Sequence, residues 1–202
     1  MLLPCEEKDL LFSAATEFNK LVGKRIELTL GRKRLSEKVV ILFEPKDFHH
    51  LVGLHKLSDI PPVSKPATNN IFNDILNRKI CITDIKKSTH FYEITDRLEI
   101  VNQINDIFTK DNHAFKFLKL VNPNSQIKWK YLLEFSAIGG YQAYLFLQEF
   151  RNNPGSYFCI SGFRKKSDYS FGQTRMTLLQ TKLIDNSTEK ILYRSASYKT
   201  SK

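Results

Sequence analysis

The part of the chain that follows His113 consists of short aromatic and β-branched runs separated by turn sequences. The turns fall at residues 139–140, 152–155, 164–173 and 185–188, where glycine, asparagine, serine and charged residues collect. Runs of this composition favour extended strands, and short connections of this kind favour antiparallel pairing of successive strands. The pattern therefore predicts an antiparallel sheet, which needs a second layer to cover its apolar face.

The N-terminal part carries a helical pattern followed by a hairpin pattern. Residues 5–22 place leucine, alanine and phenylalanine at helical spacing. The segments KRIELTL and KVVILFE flank the charged turn GRKRLSE, and this order predicts a β-hairpin.

The middle of the chain is predicted to be mainly helical. The stretch after Pro45 predicts a helix of about three turns. NIFNDILNRK predicts a short amphipathic helix, KICITDIKKS a strand followed by a turn, and EITDRLEIVNQINDIFTKDN one longer helix. The fold class is therefore α+β, with an N-terminal helix and β-hairpin, middle helices and a C-terminal antiparallel sheet. We expect a single domain over 1–202, with a helical insertion around 61–112 as an alternative.

The chain is strongly basic. Lysine and arginine number 31 and aspartate and glutamate 21, which gives a formal net charge of +10. An excess of this size favours a polyanionic partner such as a nucleic acid, although a solvated basic surface would give the same count. The candidate nucleic-acid-binding residues are Lys24, Arg25, Arg32, Lys33, Arg34, Lys165 and Lys166.

Lysines also alternate with aromatic residues along two of the predicted strands. They include Lys116 beside Phe115 and Lys128 beside Trp129. Alternation places the cations and the aromatic rings on opposite faces of a sheet, so the rings are expected in the core rather than on a stacking surface.

The sequence gives no sign of export or membrane insertion. The N-terminus lacks a basic n-region with a long apolar segment, and no apolar run approaches the roughly 20 residues of a membrane span. Cys5, Cys81 and Cys159 form no C-x-x-C pair, and an odd number argues against a disulfide framework. We therefore expect a cytoplasmic location and no membrane partner.

The segment FHHLVGLHKLSDIPP, residues 48–62, holds three of the five histidines. If it is one continuous helix, His55 lies within the apolar arc, His50 lies at its edge and His49 faces away. Spacings of five and six residues then miss the i, i+4 arrangement that metal-binding helices use, so we expect no metal site and no cofactor. Two interpretations of His55 remain: a core histidine with a satisfied hydrogen bond, or a partly desolvated imidazole that lines a cleft and transfers protons.

The phrase FHHLVGLHKLSDI resembles the signature F-x-H-L-x-G-L-H-K-L-x-D-I of a nuclease family associated with phages and mobile elements. The segments LTLGRK, IFNDIL and YFCISGFRKKSDYSFGQTRMTLL resemble the same family, so that the resemblance covers about residues 5–198. The family is placed in the barnase–EndoU–colicin–RelE-like (BECR) fold.

The resemblance implies metal-independent RNA cleavage, in which the 2′-OH attacks the adjacent phosphate and leaves a 2′,3′-cyclic phosphate. This reaction needs a base, an acid and cations near the phosphate. The first motif implies His55 as base or acid, His50 as its complement or as an orienting group, and Lys56 as a phosphate ligand.

The late motif implies further site residues. Arg164 would bind phosphate, Tyr169 would stack on a base or donate a proton, and Gln173 and Thr177 would supply hydrogen bonds. The expected partners are RNA, with DNA as an alternative, and an antitoxin or immunity protein. The alternative function is a non-catalytic nucleic-acid-binding or interaction protein of a mobile element.

Overall fold

The computed structural model describes residues 9–65, 68–119 and 127–198; the side chains of residues 68 and 69 are not described. Its helices are α1 (Leu10–Asn19), α2 (Pro45–Leu51), α3 (Pro61–Ser64), α4 (Thr68–Leu76), α5 (Ile82–Ile85), α6 (Tyr92–Asn102) and α7 (Ile104–Ile107). A single 3-10 turn, Leu54–Lys56, follows α2. None of the helices in the described ranges is long and apolar enough to cross a bilayer.

Eight strands form one mostly antiparallel sheet. They are β1 (Arg25–Arg32), β2 (Leu35–Leu42), β3 (His113–Lys116), β4 (Tyr131–Ser136), β5 (Gln142–Phe150), β6 (Asn153–Arg164), β7 (Thr174–Asp185) and β8 (Thr188–Arg194). Their order is β1-β2-β6-β5-β4-β3-β7-β8, and β1 also pairs with β7, so the first seven strands form a ring of pairings. The short β2–β6 pairing is parallel. The α+β class, the N-terminal helix and hairpin, and the C-terminal sheet are confirmed.

The main core lies between the sheet and the helices. Phe18 of α1 contacts the rings of Phe43, Phe48 and Phe72, each with centroids less than 6 Å apart. These side chains come from four separate segments of the chain, so their burial joins the N-terminal helix, the hairpin and the middle helices in one apolar cluster.

A second, smaller cluster consists of buried aromatic and leucine side chains of β3, β4, β5 and the segment directly before β4. Its members include Phe115, Trp129 and Phe146, and the half-buried Phe163 and Tyr169 pack against them. The expectation that the aromatic residues alternating with lysine belong to the core is confirmed for Phe115 and Trp129.

Three predicted elements differ from the structure. The helix predicted over EITDRLEIVNQINDIFTKDN is interrupted at Gln103, between α6 and α7. The predicted strand in KICITDIKKS is the short helix α5, which begins at a capping box in which the Asp84 carboxylate accepts from the Cys81 N–H. The predicted helix after Pro45 stops at Leu51, after two turns. Cys159 is a buried free thiol, as expected for an unpaired cysteine, whereas Cys81 is disulfide-bonded. Cys5 lies outside the described residues.

Candidate active site

The histidine segment is broken at Gly53. This residue has a φ of +82°, in the left-handed region that glycine adopts without a steric penalty, and the 3-10 turn begins directly after it. A Cβ at this position would lie 2.9 Å from Arg97 Cδ and 3.2 Å from Ile94 Cγ2, which are atoms of α6. Glycine is therefore required both by the backbone conformation and by the close approach of α6.

The break brings the three histidines together. The ring centroids of His50 and His55 lie 4.9 Å apart, and that of His49 lies 5.6 Å from His50 and 6.2 Å from His55. One ring nitrogen of each lies within 4.8 Å of one nitrogen of each of the others. The expectation of no metal site depended on a continuous helix through residues 48–62, and the break at Gly53 shows that this helix is not continuous.

His49 is buried, with 2% of its surface exposed, whereas His50 and His55 have exposed surface. Its Nε2 lies 2.9 Å from the carbonyl oxygen of Val63. A carbonyl oxygen only accepts, so Nε2 carries the proton and the neutral ring keeps a lone pair on Nδ1. Among the described residues, this buried Nδ1 has no hydrogen-bond partner.

The pKa values of two histidines are lowered. Burial is the main cause for both, and it brings the pKa of His55 to about 4, with the neighbouring His50 and Arg97 adding to the effect. Burial disfavours the charged imidazolium because the ring loses its hydration.

Arg97 of α6 lies beside the histidines. Its Nη1 donates a 2.7 Å hydrogen bond to the Ser161 hydroxyl, and its guanidinium lies 5.4 Å from the centroid of the Phe163 ring. Burial lowers its pKa, and the nearby Glu93 carboxylate opposes that shift. A guanidinium retains its charge at neutral pH, so α6 supplies a fixed cation to the site.

Two further residues of the first motif fasten the histidine segment to the start of α6. Lys56 Nζ lies 2.9 Å from the Glu93 carboxylate. The Asp59 carboxylate accepts hydrogen bonds from the Thr89 N–H and from the Ser88 hydroxyl. These contacts hold the segment that carries His55 against the helix that carries Arg97. Lys56, which was expected to bind phosphate, forms an ion pair with Glu93 instead.

A cleft of about 350 Å³ opens beside the two exposed histidines. It is lined by His50, His55, Arg97, Ile127, Lys128, Gln148, Ile160 and Ser161. The cleft thus combines two imidazoles, which are able to transfer protons, with two cations, which are able to bind anions, and phosphodiester cleavage without a metal uses groups of these kinds.

Residues 10–198 match the family model described as phage-Barnase-EndoU-ColicinE5/D-RelE like nuclease4. The chain belongs to this nuclease family. No curated protein and no solved structure matches it.

The cleft of this nuclease lies at one end of the sheet. Register pairs β5 Leu147 with β4 Tyr131, Tyr131 with β3 Lys116, and Lys116 with β7 Thr174. These positions are where β3 and β5 finish and where β4 and β7 begin. We call this the cleft end of the sheet; the β1–β2 turn lies there too, since Gly31 of β1 pairs with Thr177 of β7.

Arg164 is not brought into the cleft. It lies three residues beyond Ser161 on β6, a distance of about 10 Å along a strand. Its guanidinium lies 4.0 Å from the centroid of the Tyr141 ring, and its Nε is 3.8 Å from the Asp96 carboxylate. Arg164 thus does not line the cleft with the histidines, and its role as a phosphate ligand stays a prediction.

The lysines that follow Arg164 are also paired with acidic groups. Lys165 Nζ lies 3.1 Å from the Glu134 carboxylate, and Lys166 Nζ lies 3.5 Å from that of Asp96. Lys166 remains largely exposed, so of the two it is the better candidate for nucleic-acid contact.

The other late-motif residues lie at three separate places. Tyr169 packs edge-on against Phe146 and Tyr144 in the second cluster. Gln173 accepts a 2.7 Å hydrogen bond from the Leu118 N–H. Thr177 is exposed on β7. The aromatic packing of Tyr169 indicates a role in holding the loop.

The basic hairpin residues divide into two groups. Arg32, Lys33 and Arg34 are exposed at the β1–β2 turn, and the first two line a second cleft with Lys116 and Thr174. Lys24 and Arg25 lie at the opposite end of β1, where Lys24 pairs with Asp185 at 3.4 Å. Only the turn residues are at the cleft end.

Sequence reasoning missed Arg97, although its position carries a signal. Ile94, Leu98 and Val101 form the buried stripe of α6, and Arg97 falls within that stripe at i+3 from Ile94. A charged residue among core positions needs a partner or a function, because an unpaired buried charge is costly.

Proposed function

We propose that this nuclease is a metal-independent endoribonuclease. The observation that carries the proposal is the pair of imidazoles of His50 and His55, 4.9 Å apart between centroids, in one cleft with the guanidinium of Arg97. Among the residues that the structure describes, no carboxylate forms an ion pair or hydrogen bond with either imidazole. One of them is therefore available as a base and the other as an acid.

In the proposed reaction, one histidine removes the proton of the RNA 2′-OH. The 2′-oxygen then forms a bond to the adjacent phosphorus, and the bond from phosphorus to the 5′-oxygen breaks as the other histidine protonates that oxygen. The products are a 2′,3′-cyclic phosphate and a free 5′-hydroxyl. Arg97 and Lys128 stabilise the negative charge that develops on the phosphorane oxygens.

The arrangement of cations at the cleft end supports a single-stranded nucleic acid as the substrate, and the proposed attack by the 2′-OH restricts that substrate to RNA. The cleft lined by His50 and the cleft lined by Arg32 and Lys33 are separated by three strand spacings, from β5 through β4 and β3 to β7. Measured along the sheet this is about 15 Å at the usual strand spacing. Lys116 and Lys128 lie along this interval. A single strand whose phosphate occupies the histidine cleft would thus reach the basic turn.

We further propose that the protein is a toxin-like effector of a phage or mobile element, acting in the bacterial cytosol and controlled by an antitoxin or immunity protein. Induced expression should arrest growth, and the His55→Ala variant should not. Growth arrest that persists in that variant would contradict the proposed mechanism.

The direct test uses purified protein treated with a chelator. We expect cleavage of single-stranded RNA, 2′,3′-cyclic phosphate ends, and resistance of a substrate with 2′-O-methyl groups. His50→Ala and His55→Ala should abolish cleavage while RNA binding remains, and His113→Ala, which removes an exposed histidine on β3, should cleave normally. Cleavage of the 2′-O-methyl substrate or of DNA at an equal rate would rule out 2′-OH attack.

A further inference from the structure

We propose that His49, His50 and His55 form a binding site for one divalent late transition metal ion, of which Zn²⁺ is the best candidate. The geometry is close to that of a site with three imidazole ligands. Nitrogens bound to Zn²⁺ at about 2.0–2.1 Å lie roughly 3.3 Å from one another. The three rings already offer nitrogens within 4.8 Å of each other, and the exposed His50 and His55 are free to close the difference by rotation.

His49 has the hydrogen-bond arrangement of a metal ligand. Metal-binding histidines usually donate the N–H of the other ring nitrogen to a carbonyl or carboxylate, which fixes the tautomer and orients the lone pair. Here Nε2 donates to the carbonyl oxygen of Val63, and Nδ1 is buried without a hydrogen-bond partner among the described residues. A buried acceptor with no partner costs free energy, and a bound metal ion would satisfy it.

The donor set selects the class of metal. Neutral imidazoles suit Zn²⁺, Cu²⁺, Ni²⁺ and Co²⁺, whereas Mg²⁺ and Ca²⁺ prefer oxygen ligands. Three protein ligands leave the fourth tetrahedral position open. Arg97 lies beside the rings, and its charge favours an anion at that position, such as hydroxide or a phosphate oxygen.

Metal binding has a consequence for catalysis, and this part rests on the proposed function. The lone pairs that hold the metal are those that His50 and His55 need in order to accept and donate protons. An ion at this site would therefore inhibit RNA cleavage, and a chelator would restore it. Micromolar Zn²⁺ would act as an off-switch, while Mg²⁺ would have no effect at equal concentration.

The binding experiment uses the full chain after removal of any histidine tag and treatment with a chelator. Calorimetry with Zn²⁺ should give one ion per chain, and Co²⁺ should produce visible absorption of a tetrahedral site. His50→Ala and His55→Ala should each weaken binding by about tenfold or more, because loss of even an outer-shell partner costs that much. His113→Ala should bind as the unaltered protein does.

His49→Ala is tested together with its thermal melting curve, because His49 is in the core. If the His49→Ala variant does not fold, the His50→Ala and His55→Ala variants provide the test of the site. Absence of saturable Zn²⁺ binding, or binding that both exposed-histidine variants retain in full, would overturn the site.

RNA cleavage is measured in parallel with binding, so that the two proposals fail separately. If Zn²⁺ binds and RNA cleavage decreases in proportion to the occupancy of the site, both the metal site and the proposed function are supported. Zn²⁺ binding by a protein that never cleaves RNA would overturn the proposed function and leave the metal site standing. Zn²⁺ binding that stimulates cleavage would overturn both the inhibitory role and the metal-independent chemistry.

Discussion

Gly53 and Arg97 are in such close contact that a Cβ on Gly53 would lie 2.9 Å from Arg97 Cδ. The glycine ends the helix that carries His50 and starts the turn that carries His55. The same residue therefore sets the distance between the two histidines and the place of the guanidinium beside them.

Substitution of Gly53 by alanine should abolish RNA cleavage. A left-handed backbone costs an alanine about 1–2 kcal/mol, and the clash with Arg97 adds displacement of the cation. Gly140→Ala is the matched control, since Gly140 has a φ of +80° but no atom within 4 Å of its Cβ position. Both variants should melt at lower temperature, and only Gly53→Ala should lose activity. Equal activity in the two variants would show that the position of Arg97 does not matter.

Arg97 should matter for cleavage far more than Arg164. Removal of one charge-stabilising donor from an active site commonly lowers kcat by about 10²–10³-fold. We expect Arg97→Ala to show a loss of this size, and Arg164→Ala to retain cleavage because its side chain is engaged with Asp96 and Tyr141. Single-turnover rates on one RNA substrate provide the measurement. The reverse ranking would support the late motif as the source of the phosphate ligand.

The order of elements could be predicted from the sequence because it depends on local patterns. Alternation in KRIELTL and the helical spacing of Ile94, Leu98 and Val101 both reflect which side chains are buried, and burial is what the structure shows at these positions. The class of fold follows from such patterns, and the motif resemblance assigned the family.

The site could not be predicted in the same way, because it depends on one backbone conformation and on contacts distant in sequence. A continuous helix would separate His50 and His55 by about 140° around its axis, and Gly53 removes that separation through a positive φ. Arg97 reaches the cleft because α6 packs on β6, where its guanidinium meets Ser161, 64 residues away. Local sequence periodicity does not predict how α6 packs on β6. It also does not predict at which end of the sheet Arg164 lies.

Protonation of the Asp59 carboxylate should make the folded protein less stable in acid. Its hydrogen bonds to Ser88 and Thr89 lower its pKa from 3.8 to about 2. A lowered folded-state pKa means that this stabilisation is complete above about pH 4 and is lost as pH falls toward 2. Asp59→Asn should therefore melt at a lower temperature than the unaltered chain at pH 6. The difference in Tm should shrink between pH 4 and 2, whereas a constant difference would mean that the carboxylate charge is not involved.

Charge reversal at the β1–β2 turn should weaken RNA binding without altering the chemistry. Arg32→Glu with Lys33→Glu removes two cations from the cleft end, so the affinity for single-stranded RNA should fall and its dependence on salt concentration should become shallower, since fewer counterions are released. The control reverses Lys79 and Lys87, which are also exposed cations and lie on the helical side. Fluorescence anisotropy across a salt series gives the slope for each variant.

At saturating RNA the turn variant should cleave at the unaltered rate, because His50, His55 and Arg97 are in place. A lower saturated rate would place the turn in the reaction itself, and an unchanged salt slope would remove it from the RNA path.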